Sequence, residues 1–507
     1  MTYEVVVVGA GVGGLTAAAL LAARGVNVCV LEKESQGGGC ATTFEKFGYE
    51  FETTAGLYAS WGADEIHARV FAELTTPAPE AHKLSPAYVV RLPDQTEVRL
   101  GGSDASAGPG EYDIELSRAF PECTDAAINF YRELALVSET LHRSARCAPH
   151  LATLSKFQRM KLAAREARHA PRILAAQQHT AAVHLAGTSP RFRRFIDAQL
   201  QIFAGCTSDE CAYLYAAIAL DLPRRGLYAL RGGATALNRA LTHAIKHNGG
   251  TIRFDTTALR LAYDASGRTA AAVGVTLLSG ERVTASRAIV SNLTVWDTYG
   301  KLIGHNHTPD AVRERLKTLR GWGAYLLYLA VDEEAARRLP AAHVLALNDW
   351  QEGETYDPTS AALMFSASPA WDARAPAGKR AVTVSTYTEV NDWFAYHTDD
   401  NAHEAQDQKT LETWWARLHA ALPELGAGAE VIETATPRTF YEQTRRKLGM
   451  VGGIPQTLAA SGRDAFTHCT PFPNLYLVGD TVFPGNGLAA VTQSALIVAN
   501  EIAPPRK

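Results

Sequence analysis

The residue types that could do chemistry start almost at once. Gly9, Gly11 and Gly14, with Val12 and Gly13 between them, follow Val5–Val8 and precede the helix-forming run Leu15–Arg24. Four successive β-branched residues predict a buried parallel strand. Gly9 permits a tight turn, Gly11 lets backbone approach a pyrophosphate, and Gly14 lets helix and strand pack closely. The start of the helix offers free N–H groups and partial positive charge to phosphates. A second strand, Val26–Leu31, ends in Glu32 and Lys33, and Glu32 follows Gly14 at close to the ~20-residue spacing at which an acid bonds a ribose hydroxyl. A bare glycine-rich turn does not explain strand, glycines, helix, strand and acid in that order. A dinucleotide does; whether FAD or NAD stays open at this point.

Other reactive types are sparse. No GxSxG or HExxH occurs, and no Ser/Cys–His spacing suggests a nucleophile. His243 and His247 lie four apart, but no third ligand is suggested, so they read as side chains favoured at a helix C-terminus and no metal is expected. Near the end of the chain, Asn474–Asp480 predicts a strand ending in Gly479-Asp480. Gly485, Gly487, Leu488 and Ala489 then open a helix, so the opening logic is repeated.

Between these two ends stand further marks: Gly37-Gly38-Gly39-Cys40-Ala41-Thr42, Thr43-Phe44, Gly48-Tyr49-Glu50-Phe51-Glu52, Arg231-Gly232-Gly233, and Phe483-Pro484-Gly485-Asn486-Gly487 with Ala490-Val491. With the opening glycines, these resemble the flavoprotein superfamily of bacterial phytoene desaturases, carotenoid cis–trans isomerases and retinol saturases, whose fold is amine-oxidase-like. The resemblance brackets the whole chain and is looser in its middle third. It implies FAD as cofactor. It also implies FAD contacts from Gly9, Gly11, Val12, Gly13, Gly14, Glu32, Lys33, Gly38, Gly39, Cys40, Ala41, Thr42, Ala258, Asn292, Gly479, Asp480, Gly487, Leu488 and Ala489. Asp480 would hold a ribityl hydroxyl, and the helix start after it would stabilise negative charge on a reduced flavin. At one place the chain departs from the pattern: Glu52-Thr53-Thr54 stands where relatives have Asp, a small residue and Gly.

The expected fold is α/β: a discontinuous Rossmann-type FAD-binding domain (1–60, 225–294 and 436–507) with an α+β substrate domain of mixed sheet and helices. Residues 61–224 form its helical cap region and 295–435 its sheet. Residues 62–115 read as short polar strands with turns, Phe47–Phe51 as a short strand, and Ala126–Leu141 and Asn401–Ala421 as helices. Thr436–Tyr441 and Gly449–Gln456 resemble a loop passing near the flavin. Trp414-Trp415 reads as core.

At 507 residues, 47% hydrophobic and 20% charged, with net charge −4, the chain is ordinary for a globular protein and gives no reason to expect nucleic acid. Seven cysteines without a CxxC fit a reducing compartment. A first strand at about residue 3 leaves no room for a signal peptide, and no run reaches the ~18 apolar residues that span a bilayer. A cytoplasmic protein is expected. The basic stretch with Lys156, Arg159, Lys161, Arg165, Arg168 and Arg172 reads first as a solvated cap helix and second as a surface resting on anionic lipid.

The leading expectation is an FAD-dependent oxidoreductase on carbon–carbon bonds of a long polyene or isoprenoid, by desaturation, saturation or isomerisation. No single catalytic side chain is expected. Tyr58, Tyr441 and Met450 are candidates for the ring end of an apolar substrate channel. Electrons would pass to or from oxygen, a quinone or a redox protein. A flavin amine oxidase on a smaller substrate is the alternative, and a non-enzymatic prenyl-binding protein of the same fold is the third reading.

Overall fold

A computed structural model describes residues 2–101, 110–147, 173, 175–264, 271–351, 353–394 and 399–505. The basic cluster from Lys156 to Arg172 lies outside the described residues.

Two seven-stranded sheets carry the architecture. In the first, Thr251–Arg253, Val28–Leu31, Thr2–Val8 and Arg282–Ser291 lie side by side and parallel. Ala272–Leu277 and Ala258–Tyr263 extend this sheet antiparallel, and Leu475–Leu477 pairs parallel with Arg282–Ser291. Val5–Val8 are buried on both faces, as a continuous β-branched run requires. The opening helix Val12–Ala23 packs between Gly233–His247 and the closing helix Leu488–Ile502. Every residue from Val12 to Ala22 is therefore buried.

The second sheet runs Ala429–Ala435, Gly323–Asp332, Lys379–Thr388, Ala362–Ala367, His343–Leu347, Tyr88–Arg91, Glu97–Leu100. All its pairings are antiparallel except His343–Leu347 with Tyr88–Arg91, so it is mixed. One face packs on Asp400–Ala421, where Trp414 is core. Another cluster joins the strands Tyr88–Leu92 and His343–Leu347 to the helices Thr124–Cys147, Pro190–Ala204 and Tyr213–Arg225.

Three local expectations need correction. Residues 62–115 are not all polar strands: Ile66–Glu73 is a helix, and Tyr88–Arg91 is wholly buried inside the second sheet. At eight residues that helix is too short for its Ile66/Val70/Phe71 face to show a clear period. Phe47 is no strand residue but a turn with φ 52°, 76% exposed, between Thr43–Lys46 and Tyr49–Glu52. Pro437–Thr444 is a helix and not a loop. Thr436 and Thr439 form a reciprocal capping box and Pro437 sits in the first turn, where its missing N–H costs nothing.

Candidate functional site

The site begins where the first strand ends. Gly9 turns with φ +94°. A Cβ on Gly14 would stand 2.1 Å from the Gly9 carbonyl, so only glycine lets this helix sit on this strand. Gly11 is the N-cap, and no side chain caps the helix. A Cβ on Gly11 would meet Asn292 Nδ2 at 2.6 Å, and one on Gly13 would meet Asn292 Oδ1 at 2.6 Å. Asn292, just past the neighbouring parallel strand, thus lies against the glycine turn. At the end of the second strand Glu32 accepts the Ala10 N–H through Oε2 (2.6 Å) and the Glu34 N–H through Oε1 (3.0 Å). Burial raises its pKa; the Ala10 N–H and Lys33 oppose this only in part. Thr256 N–H bonds Glu32 O (2.7 Å), which brings Ala258 to the same end of the sheet.

A second backbone cradle follows. Gly38 N–H donates to Ala10 O (2.8 Å), and Gly11 and Gly38 form a parallel bridge. The helix Gly233–His247 holds this loop from behind: Asn238 Nδ2 donates to Ala41 O (2.7 Å), and Thr235 Oγ1 accepts the Thr43 N–H (2.9 Å) and contacts the Thr42 hydroxyl (3.1 Å). A Cβ on Gly38 would lie 2.4 Å from Asn238 Nδ2.

The third piece comes from the end of the chain. Leu475–Leu477 delivers Gly479 and Asp480 beside Asn292: a Cβ on Gly479 would be 3.3 Å from Asn292 Oδ1. Ligands of open α/β sheets bind in the crevice outside such carboxyl ends. Gly487 starts the closing helix at φ +87°, again without a side-chain cap. Its first turn approaches the opening one, with Val491 Cγ1 3.1 Å from where a Gly13 Cβ would stand. Leu488–Val491 keep accessible surface while Ser494–Ala499 are buried, so the first turn lines a space. Two helix starts thus offer unpaired N–H groups and positive dipole ends to one region.

Asp480 Oδ2 takes a hydrogen bond from Arg446 Nη2 (2.8 Å), and Arg446 Nε donates to Met450 O (2.6 Å). Asp480, with Cys40 and Asp297 nearby, holds the guanidinium firmly protonated against burial. Sequence reasoning missed Arg446, Thr235 and Asn238. The basic run Arg445-Arg446-Lys447 beside an expected cofactor loop was the available signal for the first. The other two look like ordinary helix residues.

The three channel candidates sit in different surroundings. Tyr58 is buried in the dinucleotide-domain core and donates to Glu52 Oε1 (2.7 Å); burial and Glu52 push its phenol well up. Met450 packs in a different cluster, beside Gly321. Tyr441 stands edge-on to Phe394 at 5.3 Å with Arg445 over its ring. His243 bonds Thr76 Oγ1 through Nδ1 (3.0 Å), and no metal-binding cluster occurs among the described residues.

These residues fit a dinucleotide with a polyol section. Asn238 Oδ1 is buried without a partner beside the second cradle, and Thr492 Oγ1 and Gln493 Nε2 are likewise unpartnered near the start of the closing helix. Asn238 Oδ1, beside the cradle, is the kind of buried polar atom that a bound group would satisfy.

Fold and site together define a nucleotide-binding oxidoreductase of α/β architecture. Residues 7–74 match the NAD(P)-binding Rossmann-like domain family. By structure, the chain is similar to an oxidoreductase from Methanosarcina mazei (18% identity, 98% of this chain and 99% of that one, TM-score 0.61). It is also similar to putrescine oxidase bound to putrescine (14%, 99% of each chain, TM-score 0.61). By sequence, it is 25% identical to the chloroplastic prolycopene isomerase of Arabidopsis thaliana over 99% of this chain and 82% of that protein. It is 25% identical to human all-trans-retinol 13,14-reductase over 98% and 85%. Over nearly its whole length the chain is thus similar in sequence to carotenoid and retinol enzymes, and it shares its fold with the two solved structures.

Proposed function

We propose that the protein is an FAD-dependent oxidoreductase that desaturates, saturates or isomerises carbon–carbon bonds of a long polyene or isoprenoid. The observation that carries this reading is the convergence of two glycine-started, uncapped helices, at Val12 and Leu488, on one space with half-exposed apolar walls. The first suits a pyrophosphate. The second supplies positive potential where a reduced flavin carries charge. Glu32, at the end of the second strand, would accept a ribose hydroxyl, and the unpartnered Asn238 Oδ1 a polyol hydroxyl. When bound, a flavin supplies the hydride chemistry, and the protein contributes orientation and exclusion of water. Cation character spread along a conjugated chain needs apolar, aromatic walls more than a poised base. The names of the sequence relatives, an isomerase of prolycopene and a reductase of retinol, agree with such substrates.

Anaerobic mixing with phytoene, lycopene isomers and retinol tests the reading. Bleaching of oxidised enzyme marks desaturation, reoxidation of reduced enzyme marks saturation, and turnover without net redox change marks isomerisation. If none of the polyenes reacts while putrescine or another amine reduces the flavin, the amine oxidase alternative replaces it.

A further inference from the structure

A row of aromatic side chains leaves the cofactor end and runs between the helix layer and the second sheet. Tyr215 bonds Asn486 in the Phe-Pro-Gly-Asn-Gly segment. Tyr387 lies close enough to Tyr215, and to Tyr356 beyond it, for their phenols to influence one another. Tyr387 also donates to Ile202 O (3.4 Å) and stands edge-on to Trp322 at 5.9 Å. All three tyrosines keep accessible surface although burial pushes their phenols up.

The row ends at a cavity of about 410 Å³ where Arg194 stands between Trp350 and Tyr356, its guanidinium carbon 5.4 and 5.6 Å from the ring centres. Arg194 is 9% exposed and has no ion-pair partner among the described residues; its one hydrogen bond goes to the Glu354 carbonyl. None of the neighbouring acids among the described residues forms an ion pair with Arg194. Asp349 accepts the Trp350 N–H (3.0 Å), Glu354 the Gln351 N–H (2.9 Å), and Asp357 the Thr359 N–H and Ser360 hydroxyl (2.9 and 2.6 Å). The other buried arginines among the described residues are each paired with acids: Arg24 with Glu73, Arg91 with Glu97 and Glu424, and Arg374 with Glu52 and Asp372. A buried, unpaired cation is costly unless a counter-charge arrives. A pure hydrocarbon cannot supply one.

We infer that Arg194, held between Trp350 and Tyr356, is the recognition point for an anionic end group, and that the substrate is an apolar conjugated chain ending in a carboxylate. The planar guanidinium suits a carboxylate through paired hydrogen bonds, and the flanking rings suit the chain behind it. This rests on the polyene reading and narrows its substrate class.

The test titrates the flavin-loaded enzyme with all-trans-retinoic acid, all-trans-retinol and β-carotene, following the flavin spectrum. The acid should bind at least about tenfold tighter than the alcohol or the hydrocarbon. Arg194→Gln and Arg194→Leu should erase that preference while the flavin content stays intact, and Arg194→Lys should restore it in part. Equal binding of all three probes, or a preference for the acid that survives in a flavin-loaded Arg194 variant, overturns the inference and leaves the polyene reading standing. No spectral response to any probe overturns both. If the Leu variant fails to fold, the Gln and Lys pair decides.

Discussion

Glu32 is where sequence and environment pull in different directions. The proposed ribose-binding role needs a carboxylate, yet burial raises its pKa. FAD should therefore be held more weakly as pH falls into the range just above that of an ordinary glutamate, because a charge-assisted acceptor is lost. In the cofactor-free protein the sign is opposite: a raised acid contributes stability in its protonated form, and that contribution fades as pH rises through its folded-state pKa. Titrating FAD affinity against pH should show the weakening in the wild type and not in Glu32→Gln, which should bind uniformly weakly. Identical pH profiles would remove Glu32 from the cofactor's grip. Gly14→Ala presses a methyl into the Gly9 carbonyl, and such overpacking costs about 1–3 kcal/mol. Thermal unfolding should register the loss, together with reduced FAD content.

At the scale of elements, the departure at Glu52-Thr53-Thr54 has a structural explanation. Glu52 ends the strand Tyr49–Glu52, and its carboxylate takes hydrogen bonds from Arg374 Nη1 (2.9 Å) and Tyr58 (2.7 Å). Arg374, nearly buried, also grips Asp372 (2.7 Å) and Leu230 O (2.6 Å). The carboxylate therefore clamps the first hairpin to the strand Leu227–Leu230 and to the loop before Lys379–Thr388. Arg374→Met should cost about 3–5 kcal/mol, since two acids would stay buried without their cation. A melting temperature within a degree or two of the wild type would show the clamp to be dispensable. The elements legible in the sequence were those with a strong local signature: the valine strand, the glycine turns, and the long amphipathic helix that runs over Thr124–Cys147. What stayed hidden has no local signature. Tyr88–Arg91 joins the second sheet through a partner about 255 residues away, as the pairing Val89–Val344 shows. Arg374 and Arg446 find their acids, Glu52 and Asp480, only after the chain has folded. Asn238 and Thr235 look like any helix residues until they meet the loop at Ala41–Thr43.

For the molecule as a whole, one acid-sensitive feature spans both halves. Burial lowers His67, stacked on Trp61 in the dinucleotide domain, to about 3, and His343 in the second sheet to about 4, from 6.5. Both stay neutral when folded and gain protons on unfolding. Stability is therefore full above pH 6.5 and falls as pH drops below it, by about 3 kcal/mol for His343 alone once both states are protonated. The pH dependence of the melting temperature should flatten in a His67→Phe, His343→Leu double variant; an unchanged acid slope would assign the effect to other groups. No helix among the described residues is long and apolar enough to cross a membrane. The proposed function makes one demand that precedes all others: the protein must hold FAD. The visible spectrum of the purified protein, with chromatography of the cofactor released on denaturation, measures this directly. A yellow protein releasing about one FAD per chain is the expected result. A colourless protein that FAD cannot reconstitute would contradict the account.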